Sequence, residues 1–206
     1  MLVHKKAMSK HLLLVILLAV SAIFSVVLNL SSVQVARAKD HTLLAAKTDK
    51  DPIVDMATTK GLIKIRIYQS EAPITSANFL DLVSKGFYNG LTFHRHEPGF
   101  CIQGGDPKGD GTGGYIDPKT HQERTIKLEI NPSNPHLQHD AAGVLAMARS
   151  ANPDSASSQF YFTLGPAMFL NESGGGYAVF GRVTSGLDVV KALTKGDKMT
   201  KVTIEK

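Results

Sequence analysis

The stretch "FHRHEPGFCIQGGD", residues 93–106, sets a guanidinium, Arg95, and a carboxamide, Gln103, among residues that favour strands. Val would serve a strand better at either position. Either the two polar groups face solvent without a task, or they line a pocket and act together. Further along, "AMAR" and "QFYF" have the same character: Met147, Gln159, Phe160 and Tyr161 mix apolar or aromatic surface with an amide. An apolar pocket edged by a few convergent polar groups is the usual form of a ligand site. Phe93 and Phe160 could equally be core filler, but that does not explain Arg95, Gln103 and Gln159.

Other chemistries fit less well. His94, His96, His121, His136 and His139 suggest zinc, but no thiolate or third ligand follows at metal-site spacing. They are expected at the surface or as caps, and no metal is expected. The run "DPKGDGTGGYID" puts Asp106, Asp110, Gly111 and Asp117 at calcium-loop positions, yet Lys108 would stand among the ligands and helices do not flank it. It also lacks the Gly-Lys-Ser/Thr ending of a phosphate loop. No G-x-S-x-G occurs. Cys101 is the single cysteine, so no internal disulfide forms, and nothing marks it as a nucleophile. "NES" at 171–173 is a glycosylation acceptor by pattern.

Elements must hold these residues. "GLIKIRIYQ" alternates Ile63, Ile65 and Ile67 with Lys64 and Arg66, which predicts a half-buried strand. In "APITSANFLDLVSKG", Phe79, Leu82 and Val83 fall at helical spacing, with Thr75 or Ser76 as N-cap and Gly86 as stop. Strands are also predicted at "LTFHRH", "FCIQGG", "IKLEI", "GVLAMAR", "QFYFTL", "YAVFGRV" and "MTKVTIEK", and a second helix at "GLDVVKALTK". Residues 39–56 read as a polar linker and 57–206 as the folded domain. About eight short strands with glycine-rich turns favour a barrel or sandwich, and a barrel also removes edge strands. A hairpin turning at Glu97-Pro98-Gly99 would bring Arg95 near Gln103, with Cys101 on the same face as Gln103. "GGDPKGDGTGGYID" and "LNESGGGY" are too long for simple turns, and binding usually resides in such loops.

The chain has 206 residues, 43% of them hydrophobic and 20% charged, a globular composition. Its net charge of +5 comes mostly from Lys5, Lys6, Lys10 and Arg37, with no acid before Asp40. The remainder is nearly neutral, so no nucleic acid partner is expected. The basic start, the apolar run over 12–30 and Ala36-Arg37-Ala38 describe a secretory signal peptide over residues 1–38, cleaved near Ala38. The alternative is a retained membrane anchor through residues 12–30, because the run reaches the ~18–20 residues that span a bilayer. Either reading puts the domain outside the cytoplasm, in a periplasm, a thylakoid lumen or the medium. Membrane contact is expected only through the N-terminal segment. No heptad or association segment is visible, so a monomer is expected.

Three runs carry a family resemblance. "FHRHEPGFCIQGGD" resembles the cyclophilin signature, in which F-H-R, P-G-F and Q-G-G-D recur; "GVLAMARSANPDSASSQFYFTL" and "YAVFGRVTSGLDVV" resemble the second and third signatures. The likeness runs from Thr59 to Lys206. It implies an eight-stranded antiparallel closed β-barrel capped by two α-helices. It also implies a peptidyl-prolyl cis–trans isomerase that assists folding of exported proteins, with a weakly catalytic peptide-binding chaperone module as the alternative. Its partners would be proline-containing peptides and unfolded proteins. No cofactor is implied, because no bond is broken.

Matched residue by residue, Arg95 falls on the catalytic arginine, with Gln103 orienting it or the substrate backbone. Phe100, Ala148, Gln159, Tyr161, Phe169 and Leu170 fall on the groove or proline pocket. Cys101 stands where the family often has Met, and Arg149 where many members have Asn. Tyr177 replaces the His of eukaryotic members, and Phe169 the Trp of cyclosporin-sensitive ones. The last two departures imply the bacterial branch and weak cyclosporin binding.

Overall fold

The computed structural model describes residues 51–205; the expected signal segment and most of the expected linker lie outside them. Eight strands form one sheet: β1 (Ile53–Thr58), β2 (Gly61–Ile67), β3 (Phe93–Glu97), β4 (Cys101–Gly104), β5 (Val144–Met147), β6 (Phe160–Thr163), β7 (Val179–Ser185) and β8 (Met199–Ile204). Their order is β3-β4-β6-β5-β7-β2-β1-β8, and every pairing is antiparallel. Two helices pack on it: α1 (Pro73–Ser84) and α2 (Leu187–Ala192).

The expected closed barrel is instead a curled, open sheet. Its edges meet at the start of β3: Thr92 bridges Lys198, and Phe93 N–H donates to the Asp197 carbonyl at 2.8 Å. Among the described residues no ladder joins β3 to β8.

Two other expectations change. β1 begins within residues 39–56, read as linker from the sequence. Its Val54 and Met56 are fully buried while Ile53 and Asp55 are half-buried, an alternation that the Asp-Pro start and Asp55 disguise as polar loop. "IKLEI" is not a strand. It touches the sheet region through one bridge, Ile126 to Ala156, while Leu128 N–H is taken by the Asp154 carboxylate at 2.8 Å. The strand total is as expected only because these two differences offset each other.

The core lies between the concave face of the sheet and α1. Phe79 of α1 sits 5.1 Å from Tyr88, 5.6 Å from Phe160 and 5.1 Å from Phe180, ring centre to ring centre. All four are fully buried; each such burial is worth about 1.5–3 kcal/mol.

Thr75 and Ser76 do not cap α1 but lie buried inside it. Pro73 starts the helix, and the free N–H groups of Ile74 and Thr75 go to the Glu129 carboxylate at 3.1 and 2.9 Å. Gly86 does stop the helix. At φ +67° it lets its own N–H reach the Val83 carbonyl and that of Phe87 reach the Leu82 carbonyl, a closure only glycine adopts without strain. Glu129 at one end and Arg124, paired with Asp81 at 2.6 Å, near the other tie the long loop after β4 along α1.

Candidate functional site

Strand register assembles the site. In an antiparallel sheet, residues directly opposite each other point to one side. Arg95 of β3 faces Gln103 of β4, Gln103 faces Tyr161 of β6, and Tyr161 faces Ala146 of β5. One row of side chains thus crosses four strands on the face away from the core. Cys101 joins Gln103 on that face by the period of two. On the other face Ile102, Phe160 and Phe162 are fully buried in the core.

This row floors a cavity of about 240 Å³. Arg95, Cys101, Gln103 and Tyr161 line it from the strands; Phe100, Ala148, Arg149, Leu170 and Tyr177 line it from the adjoining turns. Phe169, at 62% exposed, stands at its lip 5.6 Å from Phe100. Nine of the residues singled out from the sequence therefore surround one space. Gln159 does not line it. It lines a second cavity of about 310 Å³, which shares Gln103, Ala148 and Arg149 with the first and is walled by Thr112, Glu123 and Ser157, among others.

The amides form one directed chain. Gln159 Nε2 donates to the carbonyls of Gly111 and Gly113 at 3.0 and 2.8 Å, using both its hydrogens. Its Oε1 must then accept from Gln103 Nε2 at 2.9 Å, which turns Gln103 Oε1 toward Arg95 Nη1 at 3.3 Å. Arg95 is further held by Glu97 Oε1 at 3.4 Å from its Nε, and lies 5.8 Å from the centre of the Phe100 ring. The guanidinium is thus aimed over the cavity by partners that leave donors free.

Arg149 differs. Its Nε and Nη2 donate to the carbonyls of Gly174 and Gly176 at 2.7–3.1 Å, and its Nη1 to that of Ser150 at 2.9 Å. Its plane lies 4.4 Å from the centre of the Tyr177 ring. It clamps the Gly174–Gly176 loop, leaving a single Nη1 hydrogen for a ligand.

Burial pushes the Cys101 thiol up, against the pull of Arg95, whose Nη1 lies 3.5 Å from Sγ. A thiol so held is not a thiolate nucleophile at neutral pH. Burial likewise raises the Tyr161 hydroxyl.

The loop behind the second cavity is held by Asp106, which is 1% exposed. Its carboxylate accepts from the backbone N–H of Lys108, Asp110 and Gly111. It points inward as a loop organiser, not outward as a calcium ligand. Burial pushes Asp106 up, but the backbone donors outweigh it and hold the group below the usual carboxylate range. A side chain at Gly113 would collide with this carboxylate.

Two histidines expected at the surface are buried, His94 at 7% exposed and His139 at 0%. His94 packs under the Asp106–Gly111 loop. His139 bonds Tyr161 and Asn171, which also commits the carboxamide of the "NES" pattern. The bonds that join His139 to Tyr161 and Asn171, and the second cavity, escape the sequence, because the partners are far apart in the chain and form no motif.

The family model described as "Cyclophilin type peptidyl-prolyl cis-trans isomerase/CLD" matches residues 53–206. Peptidyl-prolyl cis-trans isomerase B of Bacillus subtilis is 46% identical over 143 residues, 69% of this chain and 90% of that protein. Peptidyl-prolyl cis-trans isomerase-like 1 of Rhizopus delemar is 44% identical over 140 residues, 68% of this chain and 78% of that one. The crystal structure of a cyclophilin type peptidyl-prolyl cis-trans isomerase from Cryptosporidium parvum, in the presence of the dipeptide Ala-Pro, superposes with a TM-score of 0.64 at 30% identity, covering 75% of this chain and 99% of that one.

Proposed function

We propose that this chain, which belongs to the cyclophilin-type peptidyl-prolyl cis–trans isomerase family and is itself such an isomerase, turns the prolyl bond in its first cavity, with Arg95 acting on the bond and Phe100, Tyr161 and Leu170 gripping the ring. The observation that supports this most is the amide chain from the 111–113 loop through Gln159 and Gln103 to Arg95, ending over an apolar cavity. The Ala-Pro dipeptide of the Cryptosporidium parvum structure supports a proline-containing ligand.

Amide resonance holds the prolyl bond planar behind a barrier of ~18–20 kcal/mol. A catalyst need only bind the twisted amide better than either planar form. Twisting localises the lone pair on the prolyl nitrogen. Arg95 donates to that nitrogen or holds the rotating carbonyl oxygen, and its permanent charge and forked donors do so over a wide pH range. The gripped ring stays still while the other side of the bond turns. Gln103 keeps Arg95 in place. A longer peptide runs past Ala148 into the second cavity, which shares that wall.

The reading extends to where the enzyme works. Residues 1–38 deliver the domain across a membrane, released near Ala38 or held through residues 12–30, and its clients are exported chains. Phe169 and Tyr177 support a bacterial-like branch and weak cyclosporin binding. The domain acts as a monomer.

The test is cis–trans exchange of an Ala-Pro peptide, followed by NMR line shape. Exchange should be fast with the unmodified protein and fall by about 10²–10³-fold with Arg95→Ala, the scale of losing a preorganised donor. Binding without accelerated exchange would favour a peptide-holding module, to which the exposed Met168 and Phe169 at the rim are suited.

A further inference from the structure

Resting on the reading of the first cavity as the prolyl pocket, we propose that His139 is a positioning residue for that pocket, tying two parts of its lining together through one buried imidazole. One is Tyr161 on β6. The other is the turn Met168–Asn171, which presents Leu170 to the cavity and Phe169 to its lip. His139 does not line the cavity. Its Nε2 lies 2.8 Å from the Tyr161 hydroxyl, and its Nδ1 lies 2.7 Å from Asn171 Oδ1. Its backbone holds the same turn: the N–H donates to Asn171 Oδ1 at 3.1 Å, and the carbonyl accepts from Ala167 N–H at 2.7 Å.

The protons in this chain have only one consistent order. The backbone N–H of His139 can only donate, so the Asn171 atom that it meets is the oxygen, which can only accept. Nδ1 must therefore carry the imidazole proton. Nε2 is left as an acceptor, so the Tyr161 hydroxyl donates to it. The hydroxyl of the pocket wall is thereby turned down into the protein. Burial holds the imidazole below its usual range, against the opposing pull of Asn171 and Asp140, which keeps this neutral form in use at neutral pH. The rings of His139 and Tyr161 also stack, 6.0 Å apart and 16° from parallel. A side chain that merely filled space would need no such directed bonds at both nitrogens.

The test uses the full chain with His139→Leu, Asn171→Ala, Tyr161→Phe and, as reference, Arg95→Ala. Peptide titrations of the NMR exchange separate KM from kcat, and circular dichroism checks folding. Cutting either bond should raise KM about three- to tenfold, the scale of one buried hydrogen bond, while kcat falls less than about threefold. Arg95→Ala should instead remove kcat. In the unmodified protein, the ¹⁵N shifts of His139 should show a proton on Nδ1 and none on Nε2. A folded His139→Leu or Asn171→Ala variant with unchanged KM, or a proton found on Nε2, overturns the proposal. Should His139→Leu not fold, Asn171→Ala, at a half-buried position, decides it. Exchange that survives Arg95→Ala would overturn the reading of the cavity itself, a failure separate from an unmoved KM at His139.

Discussion

The two cavities share Gln103, Ala148 and Arg149 but are built from different material. The first is floored by one row of side chains on paired strands, so its spacings are those of the sheet. The second is walled by glycine-rich loops, and its shape depends on the Asp106 carboxylate and on the contacts that lay the following loop along α1. A site that must hold a bond at one angle is served by strands, where backbone pairing fixes each Cα. A site that accommodates varied side chains is served by loops with many small residues. Gln159 joins the two, one end on the loop carbonyls and the other on Gln103.

The largest effect that would break this contrast concerns Arg95. Arg95→Lys keeps the charge but loses the fork, so kcat for Ala-Pro exchange should fall by about 10²-fold. A lysine variant with full activity would show that charge alone suffices and that strand-set geometry adds nothing. Next, Gln159→Leu severs the joint. KM should rise about tenfold for peptides long enough to reach both cavities, and less for a dipeptide. Equal rises for both lengths would mean the cavities act as one.

Asp106→Asn tests the loop side alone. Removing a carboxylate that collects several backbone donors should cost about 1–2 kcal/mol in urea unfolding. The same group sets an acid limb. Its folded pKa is depressed, so its contribution is fully present above the ordinary carboxylate value near about 4 and is lost as pH falls through the lower folded value. That limb should vanish in the variant. Smallest is Glu129→Gln, which removes an anion from the start of α1. It should lower stability by about 0.5–1 kcal/mol and leave dipeptide exchange unchanged. A changed kcat there would show that the loop bears on the strand-built site after all.

The same division explains what the sequence disclosed. Arg95, Phe100, Cys101 and Gln103 lie within one hairpin, so period two and a turn at Glu97-Pro98-Gly99 were enough to bring them together. Ile63, Ile65 and Ile67 announce their strand by alternation, and all three are fully buried. β1 was hidden because its apolar residues are interrupted by Asp55, whose place is decided by β2 and β8 on either side. "IKLEI" has strand-like residues, but Leu128 N–H is taken by Asp154 and Glu129 is drawn to α1. Arg149 is visible as a groove residue, but not as a clamp, since the Gly174 and Gly176 carbonyls it holds lie well down the chain. No local pattern links His139 to Asn171, and only the folded chain puts them together.

The pairing of β1 has a consequence for how the chain comes to be folded. β1 lies between β2 and β8, the first described strand against the last. As the chain emerges from N- to C-terminus, the earliest of these strands waits for the latest before its outer edge is covered. Until then Val54, Met56 and their neighbours are exposed on an unfinished sheet, open to other extended chains. Pairing across nearly the whole domain also predicts slow folding, on a scale of roughly milliseconds to seconds. Truncating the chain before Met199 should therefore give an aggregating product, not a smaller isomerase.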